Sequence, residues 1–381
     1  MIDLRKLTDD QRALVETVRH FSETALVPYA NERDQQKIFP IDVLAQAGEL
    51  GLGAIYTSEE HCGSGLTRAD TAIIFEELGR GDPALAAYIS IHNMVVWMID
   101  TFGNDAQRAK WIPRLASMHE LSSYCLTEPG AGSDAAALTT TARRDGDEYV
   151  INGSKQFISG AGTSRVYLVM ARTGGEGAHG VSAILVPAES DGLNFGVPEK
   201  KMGWNTQPTR AVMFDDVRVP VENRLGDEGQ GFSIAMRGLN GGRLNIAACA
   251  LGGAQWALEQ SIHHLKEREA FGAPLATKQA LVFKLADMET ELQAARLLLS
   301  RAAEALDTGH PEVATVCAMA KRFVTDAAFN AANSALQLHG GYGYLSQFGI
   351  ERVVRDLRVH QILEGTNEIM NVIIGRTLLE E

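Results

Sequence analysis

Four stretches of this chain hold residue types that can do chemistry at close quarters. The first is Tyr124-Cys125-Leu126-Thr127-Glu128-Pro129-Gly130-Ala131-Gly132-Ser133-Asp134. Its glycines let backbone N–H groups approach a ligand, and the hydroxyls of Thr127 and Ser133 can bond a polar ring edge or a phosphate. The same composition also makes an ordinary surface turn. The second is Ile362-Leu363-Glu364-Gly365-Thr366-Asn367-Glu368, ahead of an apolar-patterned final helix. There Glu364 reads either as a general base or as an acid favoured by the helix dipole, with Thr366 or Asn367 as the cap. Two more blocks are Arg268-Glu269-Ala270-Phe271-Gly272 with Gln279, and Gln337-Leu338-His339-Gly340-Gly341-Tyr342-Gly343. Taken bare, these are a helix-end charge, a core aromatic and a helix break.

The elements that must position these residues follow from periodicity. From Thr8 the apolar residues Leu14, Val18, Phe21 and Ala25 recur at helical spacing, which predicts an amphipathic helix capped by Thr8 or Asp9. Helices from Ile41 to Leu50, Ala69 to Leu78 and Ala84 to Phe102 each run up to a glycine (Gly51, Gly79, Gly103) suited to a left-handed cap. Past Leu121 the pattern turns to short β-rich runs: Glu148 to Ile151, Val166 to Ala171, Val181 to Val186 and Ala211 to Phe214. Turns at Asp145-Gly146, Asn152-Gly153, Gly174-Gly175 and Asp191-Gly192 separate them. From about Gly229 long helical stretches return, broken at Gly272-Ala273-Pro274, Gly309-His310-Pro311 and Gly340-Gly341. The expected fold is α+β and multidomain: an N-terminal all-helical domain (1–121), a middle β-barrel-like domain (122–228) and a C-terminal four-helix bundle (229–381).

Bulk composition bounds the function. With 381 residues, 45% hydrophobic and 22% charged, the chain has the balance of a soluble protein of two or three domains. A net charge of -13, from 48 acidic and 35 basic residues, opposes binding to nucleic acid or anionic membranes. Four cysteines lie far apart, which fits neither a zinc site nor a disulfide framework and suits a reducing compartment. No metal site is expected. No apolar stretch is expected to span a membrane; the segment from Ala84 to Ile99, interrupted by His92 and Asn93, reads as a buried helix. The start of the chain shows neither a signal core nor a transit segment. The expected location is a bacterial-type cytoplasm, or the mitochondrial matrix if a presequence has been removed.

The eleven-residue string resembles the flavin-contacting signature of the acyl-CoA dehydrogenase family, and the resemblance extends over essentially the whole chain. It implies FAD as cofactor. By position, Leu126, Thr127 and Ser133 line the flavin and its pyrophosphate, with Ser133 also near the substrate. Phe157 and Ser159, in Lys155-Gln156-Phe157-Ile158-Ser159-Gly160, match an aromatic residue against the flavin and a hydroxyl at its N5, where many relatives carry Trp and Thr. Arg268, Phe271, Gln279, Gln337 and Gly341 match positions that bind the ADP half of FAD across a subunit boundary. That implies at least a dimer, and by the family's habit a homotetramer built as a dimer of dimers. The Glu-Gly-Thr tripeptide carries the catalytic base, which makes Glu364 that base, while Thr366 and Glu368 match cofactor contacts. Some relatives place the base where this chain has Gly242, which cannot accept a proton.

The resemblance extends to substrate and partner. Leu363 and Gly365 flank the base on the substrate side, Arg243 matches an arginine near the CoA arm, and Asn240 stands where many relatives have Asp; bare, the last two are helix surface polarity. Electron-transferring flavoprotein is the implied electron acceptor, and no Gly-x-Gly-x-x-Gly fingerprint for NAD follows a strand. The segments Gly203 to Val212, Gly238 to Arg243 and Arg358 to Glu368 resemble members that convert isobutyryl-CoA to methacryloyl-CoA in valine degradation. Straight-chain relatives usually have Tyr where this chain has Leu363. Butyryl-CoA and 2-methylbutyryl-CoA are the alternative substrates, and an oxidase or a nucleic-acid-binding member of the fold are the alternative functions.

Overall fold

A computed structural model describes residues 6–379. The first helix is Asp9–Phe21 (α1), and its cap is Thr8: the Thr8 hydroxyl accepts from the Gln11 N–H at 3.1 Å while the Gln11 side chain accepts from the Thr8 N–H at 3.2 Å. Then come Ala30–Gln36 (α2), Ile41–Glu49 (α3), Arg68–Gly81 (α4), Pro83–Phe102 (α5) and Asp105–Ala116 (α6). Two of the three glycine caps differ from expectation. α4 runs on through Gly79, because that residue lies against the backbone of Cys249, where a Cβ would sit 2.7 Å from the Cys249 Cα. α5 stops at Gly103 with φ -74, an extended rather than left-handed end. At 20 residues α5 is long and apolar enough to cross a membrane by length and composition, and it is mostly buried inside the fold, as the reading of Ala84 to Ile99 as a buried helix expects.

The middle region is one sheet. Its strands are Ser122–Cys125 (β1), Thr141–Asp145 (β2), Glu148–Ser159 (β3), Val166–Arg172 (β4), Val181–Pro187 (β5), Leu193–Phe195 (β6), Thr209–Pro220 (β7) and Arg224–Leu225 (β8). They pair in the order β6-β7-β3-β2-β4-β5-β8, with β1 parallel to β4 beside that path. The path is open, with β6 and β8 at its two ends, so the barrel-like expectation resolves to a mixed sheet that does not close. Asn152-Gly153, expected as a turn, lies inside β3 at a bulge, where the register against β7 slips between Ile151 and Gly153.

The remaining helices are Gly231–Glu267 (α7), Gln279–Asp307 (α8), Val313–His339 (α9), Ile350–His360 (α10) and Asn367–Leu379 (α11). α7, α8 and α9 pack on one another, and α10 and α11 close over α9. One buried cluster runs from Val18 and Phe21 through Leu78 and Ala250 to Leu338 and Leu357, so the first and last helical regions share a core. The sheet has its own core around Tyr149, Tyr167 and Val212. A third cluster joins Leu126, Met94 and Leu239, where the end of β1, α5 and α7 meet. Leu126, from the first of the chemistry-bearing strings, lies at that junction.

Candidate functional site

Glu364 sits in the short connection between α10 and α11. Leu363 N–H bonds back to Val359 O at 3.0 Å and Asn367 N–H to Gln361 O at 3.0 Å, which draws the segment into a tight loop. Two consecutive residues in it are left-handed, Glu364 at φ 54 and Gly365 at φ 91. A glutamate there is an outlier that the surroundings must hold in place. They do so with buried cations. Arg243 Nε, from α7, donates to Glu364 O at 3.2 Å, and Lys321 Nζ, from α9, donates to Gly365 O at 2.8 Å. Thr366 is the cap of α11, its hydroxyl accepting from Ile369 N–H at 3.3 Å.

The carboxyl points at α7. A Cβ at position 242 would overlap Glu364 Oε2 and lie 3.0 Å from Cδ and Oε1, so Gly242 makes the room the carboxyl occupies. Oε2 is buried and has no hydrogen-bond partner among the described residues, although the residue as a whole is partly exposed. Of the other buried side-chain atoms without a hydrogen-bond partner among the described residues, which are spread over the fold, two come from residues beside this site: Tyr124 Oη from β1 and Arg68 Nη1 from the start of α4. Arg68 lies with its guanidinium 3.5 Å over the Tyr56 ring and against Gly241, the neighbour of Gly242. Buried donors and acceptors that leave one another unpaired mark a place built for a polar ligand.

Burial raises the Glu364 carboxyl to about 7, against the opposing pull of Arg243 and Lys321. The proton-accepting form therefore predominates only above that pH. kcat/KM, which reports groups of the free enzyme, is expected to fall about tenfold per pH unit on the acid side of about 7. A profile that stays flat to about pH 5 would contradict this.

Other expected site residues fall into two groups. Leu126 is 8% exposed and shares its cluster with Leu239, one residue before Asn240. Thr127 O accepts from Gln156 N–H at 2.8 Å, which sets that loop beside Phe157. Phe157 is 63% exposed and left-handed at φ 60, so its ring stands off the core. Ser159 is buried, its carbonyl held by Ser123 Oγ at 2.6 Å. Ser133 is exposed on the loop. Beneath that loop Lys155, fully buried, donates to Leu126 O at 3.0 Å and to Glu128 at 2.8 Å. Although burial opposes it, bonds from Lys155, Thr140 and Thr139 hold the Glu128 carboxyl down at about 2.

On α7, Arg243 is 6% exposed and donates to Asn240 Oδ1 at 3.0 Å as well as to the Glu364 carbonyl. Leu363 packs near Trp204 and Ile246, and Glu368 is exposed at the start of α11. The second group lies elsewhere. Arg268 sits over the Tyr342 ring at 5.7 Å, Phe271 is 96% exposed, and Gln279, Gln337 and Gly341 are exposed at or beside helix ends. Arg268 follows the end of α7, about 39 Å along the helix axis from Gly242 at 1.5 Å per residue.

The first group fits a flavin. The ring of Phe157 faces solvent in the strand that Thr127 O holds through Gln156 N–H, and a Cβ at Gly130 or Gly132 would have nothing within 4 Å, so the loop offers open backbone. The Glu364 carboxyl, against Gly242, meets the same face of α7 as Leu126, whose cluster includes Leu239 three residues earlier.

Three family models match along the chain. The acyl-CoA dehydrogenase N-terminal domain matches residues 8–119, the middle domain 123–217 and the C-terminal domain 229–379. The chain is 50% identical over 375 residues to a mitochondrial isobutyryl-CoA dehydrogenase of Bos taurus, covering 98% of this chain and 90% of that one. A mitochondrial isobutyryl-CoA dehydrogenase of Dictyostelium discoideum is 51% identical over 376 residues, with the same coverage. The structure of butyryl-CoA dehydrogenase from Megasphaera elsdenii superposes with a TM-score of 0.95 at 38% identity, covering 99% of this chain and 100% of the other. With three acyl-CoA dehydrogenase domains matched along it and half-identity to two relatives over nearly its whole length, the chain belongs to the acyl-CoA dehydrogenase family of FAD-dependent oxidoreductases.

Proposed function

We propose that this enzyme dehydrogenates a short, branched acyl-CoA between carbons 2 and 3, with isobutyryl-CoA as substrate and methacryloyl-CoA as product. The observation that carries this is the unpartnered Glu364 carboxyl, aimed into a polar but water-poor space and raised towards neutrality. A proton alpha to a thioester is weakly acidic, so a carboxylate removes it only where the enolate charge is stabilised as it forms. Glu364 takes the proton from carbon 2. The Glu364 backbone N–H has no partner among the described residues and is free to donate to the thioester oxygen. Bound FAD supplies the acceptor for the hydride from carbon 3. Leu126, Thr127, Ser133, Phe157, Ser159, Thr366 and Glu368 would hold its flavin half, and Ser133, Asn240, Arg243, Leu363 and Gly365 the substrate.

Arg268, Phe271, Gln279, Gln337 and Gly341 would hold the ADP half of a cofactor seated in a partner subunit. Their place at the far end of α7 from Glu364 supports a site shared between two copies, and with it a homotetramer. Three domains, 1–121, 122–228 and 229–381, would carry these parts. Electron-transferring flavoprotein would take the electrons onward. The mitochondrial names of two relatives support the matrix, with the cytoplasm as the bacterial equivalent.

Isobutyryl-CoA is favoured by the two relatives of that name and by Leu363, which packs with Trp204 and Ile246 where a ring would crowd a branch at carbon 2. One methyl group is worth only about 1–3 kcal/mol in a pocket. Purified enzyme mixed anaerobically with a panel of acyl-CoAs is expected to show flavin bleaching about tenfold more efficient with isobutyryl-CoA than with butyryl-CoA. Much faster bleaching with butyryl-CoA would reverse the substrate assignment while leaving the chemistry intact.

A further inference from the structure

Lys321, on α9, is 0% exposed. Its Nζ donates to Gly365 O at 2.8 Å and to Asn367 Oδ1 at 2.9 Å. It makes no ion pair within 4.0 Å among the described residues, which is unusual for an ammonium group so far from water. Thr325, one turn along the same helix, adds a hydroxyl 3.4 Å from Asn367 Oδ1. A lysine kept in the core to serve a loop carbonyl and an amide is explained by what that loop carries.

The loop needs two holds. Glu364 and Gly365 are both left-handed, and nothing in a bare two-residue segment keeps such a conformation. Arg243 takes the Glu364 carbonyl from the α7 side, and Lys321 takes the next carbonyl from the α9 side. With both carbonyls fixed, rotation about the intervening peptide is blocked, and the Glu364 side chain leaves the backbone in one direction. Arg243 has Asn240 as a second partner on its own helix; Lys321 spends both its contacts on the loop and the first residue of α11.

We infer that Lys321 is a positioning residue for the dehydrogenation: by clamping the Gly365 carbonyl from α9 it fixes the left-handed turn that presents the Glu364 carboxylate to the acyl carbon. This rests on Glu364 being the base. The charge adds a second effect. Around the ammonium lie Glu364 in the loop, Arg243 on α7, Asp326 on α9, Glu368 on α11 and His360 at the end of α10. Among them Glu364 is the carboxylate that titrates near neutrality, and the cation favours its charged form.

The test uses the FAD-loaded enzyme with Lys321→Met and Lys321→Arg, and Glu364→Gln alongside. Readouts are FAD absorbance, kcat and KM with isobutyryl-CoA, and the pH dependence of kcat/KM. K321M is expected to keep FAD and lose about 100-fold in kcat with a much smaller change in KM, the magnitude typical of a catalytic group misplaced by about 1 Å. Its acid limb moves to higher pH. K321R keeps the cation, so its limb stays put, yet its longer fork cannot serve both acceptors and kcat still drops. An unchanged kcat in either variant overturns the inference, as does a loss confined to KM or FAD content with an unmoved limb. If K321M does not fold, K321R alone decides by the same kcat criterion. Turnover that persists in Glu364→Gln would instead remove the base assignment, whatever Lys321 does.

Discussion

Glu364→Gln is expected to bind FAD at the wild-type level and to lose substrate-driven flavin reduction by about 10⁴-fold, the upper end of what a general base contributes. The upper end applies because, among the described residues, no other carboxyl acts on this one. The charged groups that act on the Glu364 carboxyl are both cations, Arg243 and Lys321. Gly242, where some relatives carry a base, has no side chain to take over. That loss corresponds to about 5 kcal/mol of transition-state stabilisation. Folding is expected to be spared, since glutamine keeps the shape and removes a carboxyl that burial penalises when charged. Rapid mixing with isobutyryl-CoA and a thermal melt of the same sample check both halves. Reduction within about tenfold of wild type would mean that another group takes the proton.

Why the site was partly legible beforehand is visible in particular residues. Glu364, Leu126 and Phe157 lie in short contiguous strings, and such strings survive as patterns because a loop that grips a ligand places its contacts close together in sequence. The helices with a clean apolar stripe were equally readable, and the breaks at Gly272, Gly309 and Gly340 fall between α7, α8, α9 and α10 as the glycines suggest. What failed was local. β1 reads Ser-Ser-Tyr-Cys and β2 reads Thr-Ala-Arg-Arg-Asp, runs too short or too polar to announce strands, and only pairing with β4 and β3 makes them so. Gly79 looked like a helix end because a glycine's close approach to a distant backbone leaves no mark on its neighbours.

Lys321 and Arg68 were missed for a related reason. Each reaches the site from a helix remote in sequence, where one basic residue looks like any solvated charge. The sole local signal for Lys321 is that it falls on the buried face of α9, with Cys317 four residues before it and Val324 three after. A lysine on an apolar face asks for a buried partner, but the partner, a carbonyl 44 residues further on, appears only when the helices are packed.

Gly242→Ala should separate catalysis from stability more sharply than any change to a charged residue. The new methyl would overlap Glu364 Oε2 and press on Cδ, the free end of a flexible side chain, which can move aside without disturbing the fold. Position 242 lies inside α7, where alanine is favoured over glycine by about 0.5–1 kcal/mol. The melting temperature is therefore expected to hold or rise. The carboxyl, however, is tethered to a loop whose carbonyls are pinned by Arg243 and Lys321, so it yields by changing rotamer and not by carrying the backbone with it. A displacement on the scale of about 1 Å costs a reaction about 100-fold. The expected signature is a kcat down by about that factor, full FAD content and an undiminished melt, measured on one preparation. Wild-type kcat in this variant would show that the carboxyl does its work from somewhere other than the face of Gly242, and the geometry assigned to the base would have to be abandoned.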